Sequence, residues 1–187
     1  MYGLKESYKI TPNTEAADFL ENIVKEYFNY ISHSKRQKYA DIWLSQNHGI
    51  NVKTVNLSSK TVGPGRICTA EINQWLRHED NNLEIIFIEY SNDNGLITIQ
   101  NVTSHWLEEL EYYIMNQGRG LLMSAPDPRK NRTSVLTRPR ISRQQWLDEF
   151  SIKYSDFVDK QIKILQGYKK DWCHDTNLKN TLTNFFE

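Results

Sequence analysis

Apolar residues recur at helical spacing across 14–31, TEAADFLENIVKEYFNYI, where Phe19, Leu20, Ile23, Val24, Tyr27, Phe28 and Ile31 fall on one side after Thr14. That spacing predicts an amphipathic first helix with Thr14 as its cap. The pattern then changes to short β-branched and aromatic runs at 38–44 and 50–57, joined by Ser45-Gln46-Asn47-His48-Gly49, and predicts a β-hairpin. Gly63, Pro64 and Gly65 break the chain after it. A short helix is expected over 69–78, burying Ile72, Trp75 and Leu76. It leads into LEIIFIEY at 83–90, the most continuously apolar run of the chain. Such a run suits a strand covered on both faces, and its place after a helix favours parallel pairing in a mixed sheet. Asn92-Asp93-Asn94-Gly95 predicts a turn into an antiparallel strand at 96–102. Trp106, Leu107, Leu110 and Ile114 predict a further helix over 104–115. Ser142 with Gln145 forms a capping-box pattern, and the spacing of Trp146, Leu147, Phe150, Tyr154, Phe157, Val158, Gln161, Leu165, Tyr168 and Trp172 predicts one long helix, or two divided near Ser155. The order describes an α/β domain: a mixed β-sheet of about four to five strands flanked by helices, with a helical C-terminal end.

Composition adds bounds rather than a signature. At 187 residues and 39% hydrophobic content the chain is the size of one domain, read as an α/β core over 1–118, a basic segment over 119–143 and a helical part over 144–187. No apolar run approaches the roughly 20 residues that span a bilayer, and the N-terminus lacks a signal-peptide layout, so a soluble cytoplasmic protein with no membrane partner is expected. Cys68 and Cys173 have no metal-ligand or redox spacing and read as small apolar groups. The formal charge is +0, so any affinity for nucleic acid must be local. Between Glu71 and Glu111 nine acidic residues face one basic residue, Arg77. Between Arg119 and Arg143 the balance inverts: Arg119, Arg129, Lys130, Arg132, Arg138, Arg140 and Arg143 stand against Asp127 alone, with three prolines. An irregular arginine-rich segment suits phosphates, because guanidinium forks pair bidentately with their oxygens and release counterions. The alternative is a solvated segment that balances the acidic region.

Candidate chemistry concentrates on YADIWLSQNHGINVKTVN, 39–56. Asp41 begins one predicted strand and Asn51-Val52-Lys53 lies on the next. Asn51 and Lys53, two apart, share a strand face. Phosphodiester hydrolysis requires Mg²⁺ on hard oxygen ligands and a charge near the attacking water. Asp41 and the Val52 carbonyl supply such oxygens, Asn51 an amide oxygen, and Lys53 the charge that orients or deprotonates water and stabilises the pentavalent phosphorus. The plain alternative is a cross-strand ion pair of Asp41 and Lys53, worth about 0.5 kcal/mol.

This arrangement resembles the PD-(D/E)XK nuclease superfamily, which includes most type II restriction endonucleases, and the likeness covers roughly 14–102. Asp41 matches the first acid, Asn51 the second acidic position and Lys53 the lysine. Ala40 stands where the family often has proline, and Asn51 puts an amide where a second carboxylate is usual. The resemblance implies a restriction-endonuclease-like fold and Mg²⁺-dependent cleavage of double-stranded DNA. Glu26 of the first helix is favoured to compensate for Asn51, with Glu71 as the other candidate; Glu21 and Glu26 mark the two margins of the apolar stripe, and each reads alternatively as a solvated carboxylate. The overall look is most like the small subunit of a heterodimeric type IIS enzyme, which implies a larger sequence-recognising partner. A homodimeric type II enzyme and a catalytically silent DNA-binding or subunit-interaction module are the alternatives.

Overall fold

In a computed structural model the described residues are 1–11, 14–28, 40–59, 66–68, 72, 75–76, 78–114, 120–123 and 135–173. They form two compact units, Met1–Arg143 and Gln144–Glu187.

The first unit is built on a five-stranded mixed sheet in the order β1-β6-β5-β3-β2, with β1 Ser7–Lys9, β2 Ile42–Ser45, β3 His48–Asn56, β5 Asn82–Asp93 and β6 Leu96–Trp106. Helix α1 (Ala16–Tyr27) covers one face of it. The sheet is mixed because β3 runs parallel to β5, from His48↔Asn82 to Asn56↔Tyr90, while β2–β3 and β5–β6 are antiparallel. The expected α/β class, mixed sheet and helical C-terminal end are all present. β4 (Arg66–Cys68), β7 (Tyr112–Ile114) and β8 (Gly120–Met123) make a second, three-stranded sheet in the order β4-β8-β7.

Local chemistry explains the principal elements. On α1 Leu20 and Val24 are buried, in one cluster with Ile42, Ile50, Val52, Ile86, Ile88, Tyr90 and Ile97. Its N-cap is Glu15 rather than Thr14, whose hydroxyl instead pairs with that of Thr11 at 2.8 Å. The β5–β6 connection needs positive φ at two successive residues, and Asn94 (φ 48°) and Gly95 (φ 87°) provide it. A Cβ on Gly95 would also lie 2.9 Å from the Ile10 carbonyl oxygen.

Besides the Thr14 cap, a larger expectation is overturned. The stretch 104–115 is not a helix: β6 runs on to Trp106 because the ladder with the long β5 continues through Ile86↔Ser104, Ile85↔His105 and Glu84↔Trp106. A single 3₁₀ turn (Leu107–Glu109) follows, then β7. In a 3₁₀ turn residues three apart eclipse, so Leu107 and Leu110 are both buried, and their spacing imitates an α-helix. The second unit contains all but the first residue of α2 (Arg143–Cys173), one continuous helix through Ser155. Along it the rings of Trp146 and Phe150 stack at 5.2 Å, and those of Phe150 and Tyr154 at 5.7 Å. The helix expected over 69–78 is described only at Ile72, Trp75 and Leu76, all of them helical.

Candidate functional site

Asp41 lies where the β2–β3 ladder ends. Its N–H donates to the Ile50 carbonyl at 2.8 Å, and its Oδ2 accepts the Val52 N–H at 2.7 Å. Alternate residues of a strand turn their main-chain polar groups to opposite edges. Ile50 and Val52 therefore face the β2 side, and the Val52 carbonyl points from the same edge as the N–H that Asp41 accepts. Past the Ile42↔Ile50 pair no strand among the described residues takes up that edge. Side chains alternate as well. Ile50 and Val52 join the core beneath α1, while Asn51, Lys53 and Val55 point to the other face, beside Ile85, Phe87 and Glu89.

The charges around Asp41 come from two elements. Burial is the largest influence and holds its carboxyl above the ordinary range; the Lys53 charge and then the Val52 N–H pull it down, Glu21 pushes it up and Lys25 pulls it down. The charges that act on Asp41 are thus Lys53 on β3 and Glu21 and Lys25 on α1. Glu21 and Lys25 are joined by an ion pair on α1. Glu26, one turn further along, is exposed and is not among the charges that act on Asp41. The helix carboxylate that acts on Asp41 is Glu21. Asn51 is 1% exposed and lies on the same face of β3 as Lys53, away from α1.

Oxygen donors here suit a hard divalent cation. Mg²⁺ is commonly held by one or two carboxylates and keeps several waters. Asp41 and the Val52 carbonyl would hold it, with Glu21 as the next carboxylate. Among the described residues no group of three or more His, Cys, Asp or Glu is arranged to hold a metal, so such an ion would draw on main-chain oxygen and water. No protein-family model and no curated protein matches the chain.

Of the basic segment, Arg119, Arg129, Lys130 and Arg132 lie outside the described residues, as does Glu71. The other three arginines are engaged within the chain. Arg138 donates from Nε to the Glu108 carbonyl at 3.4 Å. Arg140 lies 4.4 Å over the Trp106 ring, 3.4 Å from Asn82 Oδ1 and 3.6 Å from Glu108 Oε1. Arg143 donates to the carbonyls of Glu79 at 3.1 Å, Asn81 at 2.7 Å and Trp75, and lies 4.0 Å over the Trp75 ring. No helix among the described residues is long and apolar enough to cross a membrane.

Two polar groupings were not anticipated from the sequence. On the α1 side of the sheet, Glu84 receives the Ser104 hydroxyl and stands 3.2 Å from His48 Nε2. Because Glu84 lies between the serine and the histidine, this is a network that fixes the start of β3 and not a nucleophile with its base. On the opposite side Glu89, 3% exposed, accepts from Asn101 Nδ2 at 3.3 Å. Burial holds its carboxyl above the ordinary range. A carboxyl raised on folding binds its proton more tightly in the native state, so stability declines as pH climbs from the unfolded value through the folded one. Glu89→Gln keeps an oxygen for Asn101 and removes the charge. It is expected to raise the thermal midpoint at pH 8 and leave it nearly unchanged at pH 4, as read by melting curves of the two proteins. Alternation within an apolar run was the only signal available for Glu89, and it does not report a buried acid.

Proposed function

We propose that the chain is a Mg²⁺-dependent DNA endonuclease of the PD-(D/E)XK kind, with Asp41, Val52 and Lys53 at its centre. The observation that carries the reading is the junction where β2 leaves β3. There a half-buried carboxylate accepts the Val52 N–H at an open strand edge, beside an outward main-chain carbonyl, and the charge of Lys53, the next residue of the strand, acts on it. Bound Mg²⁺ supplies Lewis acidity toward a scissile phosphate. Asp41 and the Val52 carbonyl hold the ion. Lys53 orients the attacking water and offsets the charge that develops on phosphorus.

Within this reading the chain cuts one strand of double-stranded DNA as the small subunit of a heterodimeric restriction enzyme, beside a larger subunit that recognises sequence. Support comes from Arg138, Arg140 and Arg143, whose contacts within the chain leave them less to offer a base edge. A silent DNA-binding or subunit-interaction module is the second reading, and the buried amide of Asn51 favours it.

Purified protein incubated with supercoiled plasmid and Mg²⁺, alone and with the product of an adjacent large reading frame, separates these outcomes. Nicking that EDTA stops and that falls about a hundredfold or more in Lys53→Ala supports the nuclease. Undiminished cleavage by that variant defeats it. Cleavage only in the combined reaction supports the small-subunit role, and site-specific double-strand cutting by the chain alone supports a homodimeric enzyme. New activity appearing in Asn51→Asp, where the wild type has none, supports the silent module.

A further inference from the structure

The apolar stripe of α2 is open over the second half of the helix. Phe150, Phe157 and Ile164 recur every seven residues along it, as do Val158, Leu165 and Trp172, with Leu147, Tyr154, Gln161 and Tyr168 between them. A seven-residue repeat forms one seam suited to a second helix. Near its start the seam is closed, with Trp146 buried and Phe150 half-buried. Beyond Phe157 it is not: Val158 is 36% exposed, Ile162 45%, Ile164 47% and Leu165 64%. Apolar side chains exposed singly need no explanation, but these lie together on a helix of a length whose stability comes mainly from packing that face.

The charges of the helix point to the occupant. Residues 144–159 hold Asp148, Glu149, Asp156 and Asp159 against Lys153, and residues 160–173 hold Lys160, Lys163, Lys169 and Lys170 against Asp171. A helix's own dipole favours acids in the first turn and bases in the last, and it does not account for a change of sign in the middle. Asp156 with Lys160 and Asp159 with Lys163 have the spacing of pairs within the helix. All four are nevertheless exposed, and none is in an ion pair among the described residues. An antiparallel copy of the same helix lays each acidic half on a basic half. Turned about the point between Asp159 and Lys160, it sets position 149 beside 170 and position 156 beside 163. Glu149, Asp156, Lys163 and Lys170 are themselves seven apart on one line. A parallel copy would oppose like charges in both halves.

We propose that α2 is a self-association surface through which two copies of this chain pair antiparallel, seam against seam. Burial of Val158, Ile164 and Leu165 drives the pairing, and the opposed charge of the two halves fixes its direction. The contact is isologous, so it closes at two chains and leaves no free end on which a filament could grow. It stands apart from the nuclease reading, and failure of either leaves the other in place.

Sedimentation equilibrium of the full-length protein tests it. Wild type is expected to dimerise with a Kd of about 10 µM or below. Ile164→Gln with Leu165→Gln, which leaves the charge and the helix propensity in place, is expected to weaken the dimer about tenfold or more. Lys163→Glu with Lys170→Glu is expected to weaken it severalfold in low salt, and adding Glu149→Lys and Asp156→Lys to that same chain should restore it. Near-ultraviolet circular dichroism of the tryptophans checks that each variant is folded. A wild type that stays monomeric at about 0.1 mM overturns the proposal, as does a dimer indifferent to the two glutamines. A dimer tightened by Lys163→Glu with Lys170→Glu reports parallel pairing and overturns it too. Failure of the four-site exchange to restore association means that the two halves do not face each other, which is equally fatal.

Discussion

Asp41→Asn is expected to lower Mg²⁺-dependent cleavage by at least about a hundredfold while raising the thermal midpoint of the metal-free protein. Both effects follow from the half-buried carboxylate that accepts the Val52 N–H. Burial outweighs the help of Lys53 and of that N–H, so folding raises its pKa above the ordinary 3.8. The native state then retains the proton where the unfolded chain has released it, and stability falls as pH rises through that interval. Above it, the ionised Asp41 opposes folding by a constant amount. Asparagine offers the Val52 N–H the same acceptor geometry without the charge. The stability gain should therefore be visible at pH 8 in EDTA and shrink toward pH 3, below the ordinary 3.8, where Asp41 is largely protonated in both states. Thermal melts at the two pH values and plasmid-nicking rates in Mg²⁺ measure the two effects. If Asp41 and Lys53 were only a stabilising cross-strand pair, Asp41→Asn would lower the midpoint at pH 8, and that result would remove the physical basis of the site.

The sheet and first helix were legible because their periodicities are strong and local. Alternation placed Lys53 on a strand and Asp41 at the start of its neighbour, where β2 in fact begins one residue later at Ile42; LEIIFIEY announced a strand covered on both faces, which β5 is, with β3 parallel beside it. Other features depended on contacts that spacing does not encode. β6 extends to Trp106 because β5 offers a partner that far, overriding the helix-like intervals of Leu107 and Leu110. β1, β4, β7 and β8 have three or four residues each, too few to show a period. Helical spacing set Glu21 and Glu26 on the two margins of one stripe, but only the position of β2 decides which margin meets Asp41. Glu21 does, and its Glu-to-Lys spacing to Lys25 was the available clue. Charge sign was legible in the basic segment. Its partners were not, since carbonyl oxygens of the Trp75–Asn81 region carry no mark in the sequence of an arginine more than sixty positions away.

Arg143 gives the largest expected stability effect of any surface charge described. Its guanidinium donates to the carbonyls of Trp75, Glu79 and Asn81 and covers the Trp75 ring, gathering the turn that leads into β5. Asn81 Nδ2 reinforces the same point, donating to the Trp75 carbonyl at 3.1 Å. Hydrogen bonds from a charged donor are worth about 1.5–3 kcal/mol each and are not additive, and removing the donor leaves the part-buried carbonyls of Trp75 and Asn81 without it. Arg143→Ala is expected to destabilise the protein by about 2–4 kcal/mol, read as a lower urea midpoint at an unchanged m-value. Arg143→Lys should recover less than half of that, because an ammonium lacks the guanidinium's two-pronged fork of donors and does not stack on the indole. The same variants distinguish a clamp from a phosphate contact. A residue lying on DNA would leave the urea midpoint in place and reduce the slope of log affinity against log salt by about one. A lowered midpoint with an unchanged salt slope assigns Arg143 to the fold and leaves affinity for DNA to the other arginines of the segment.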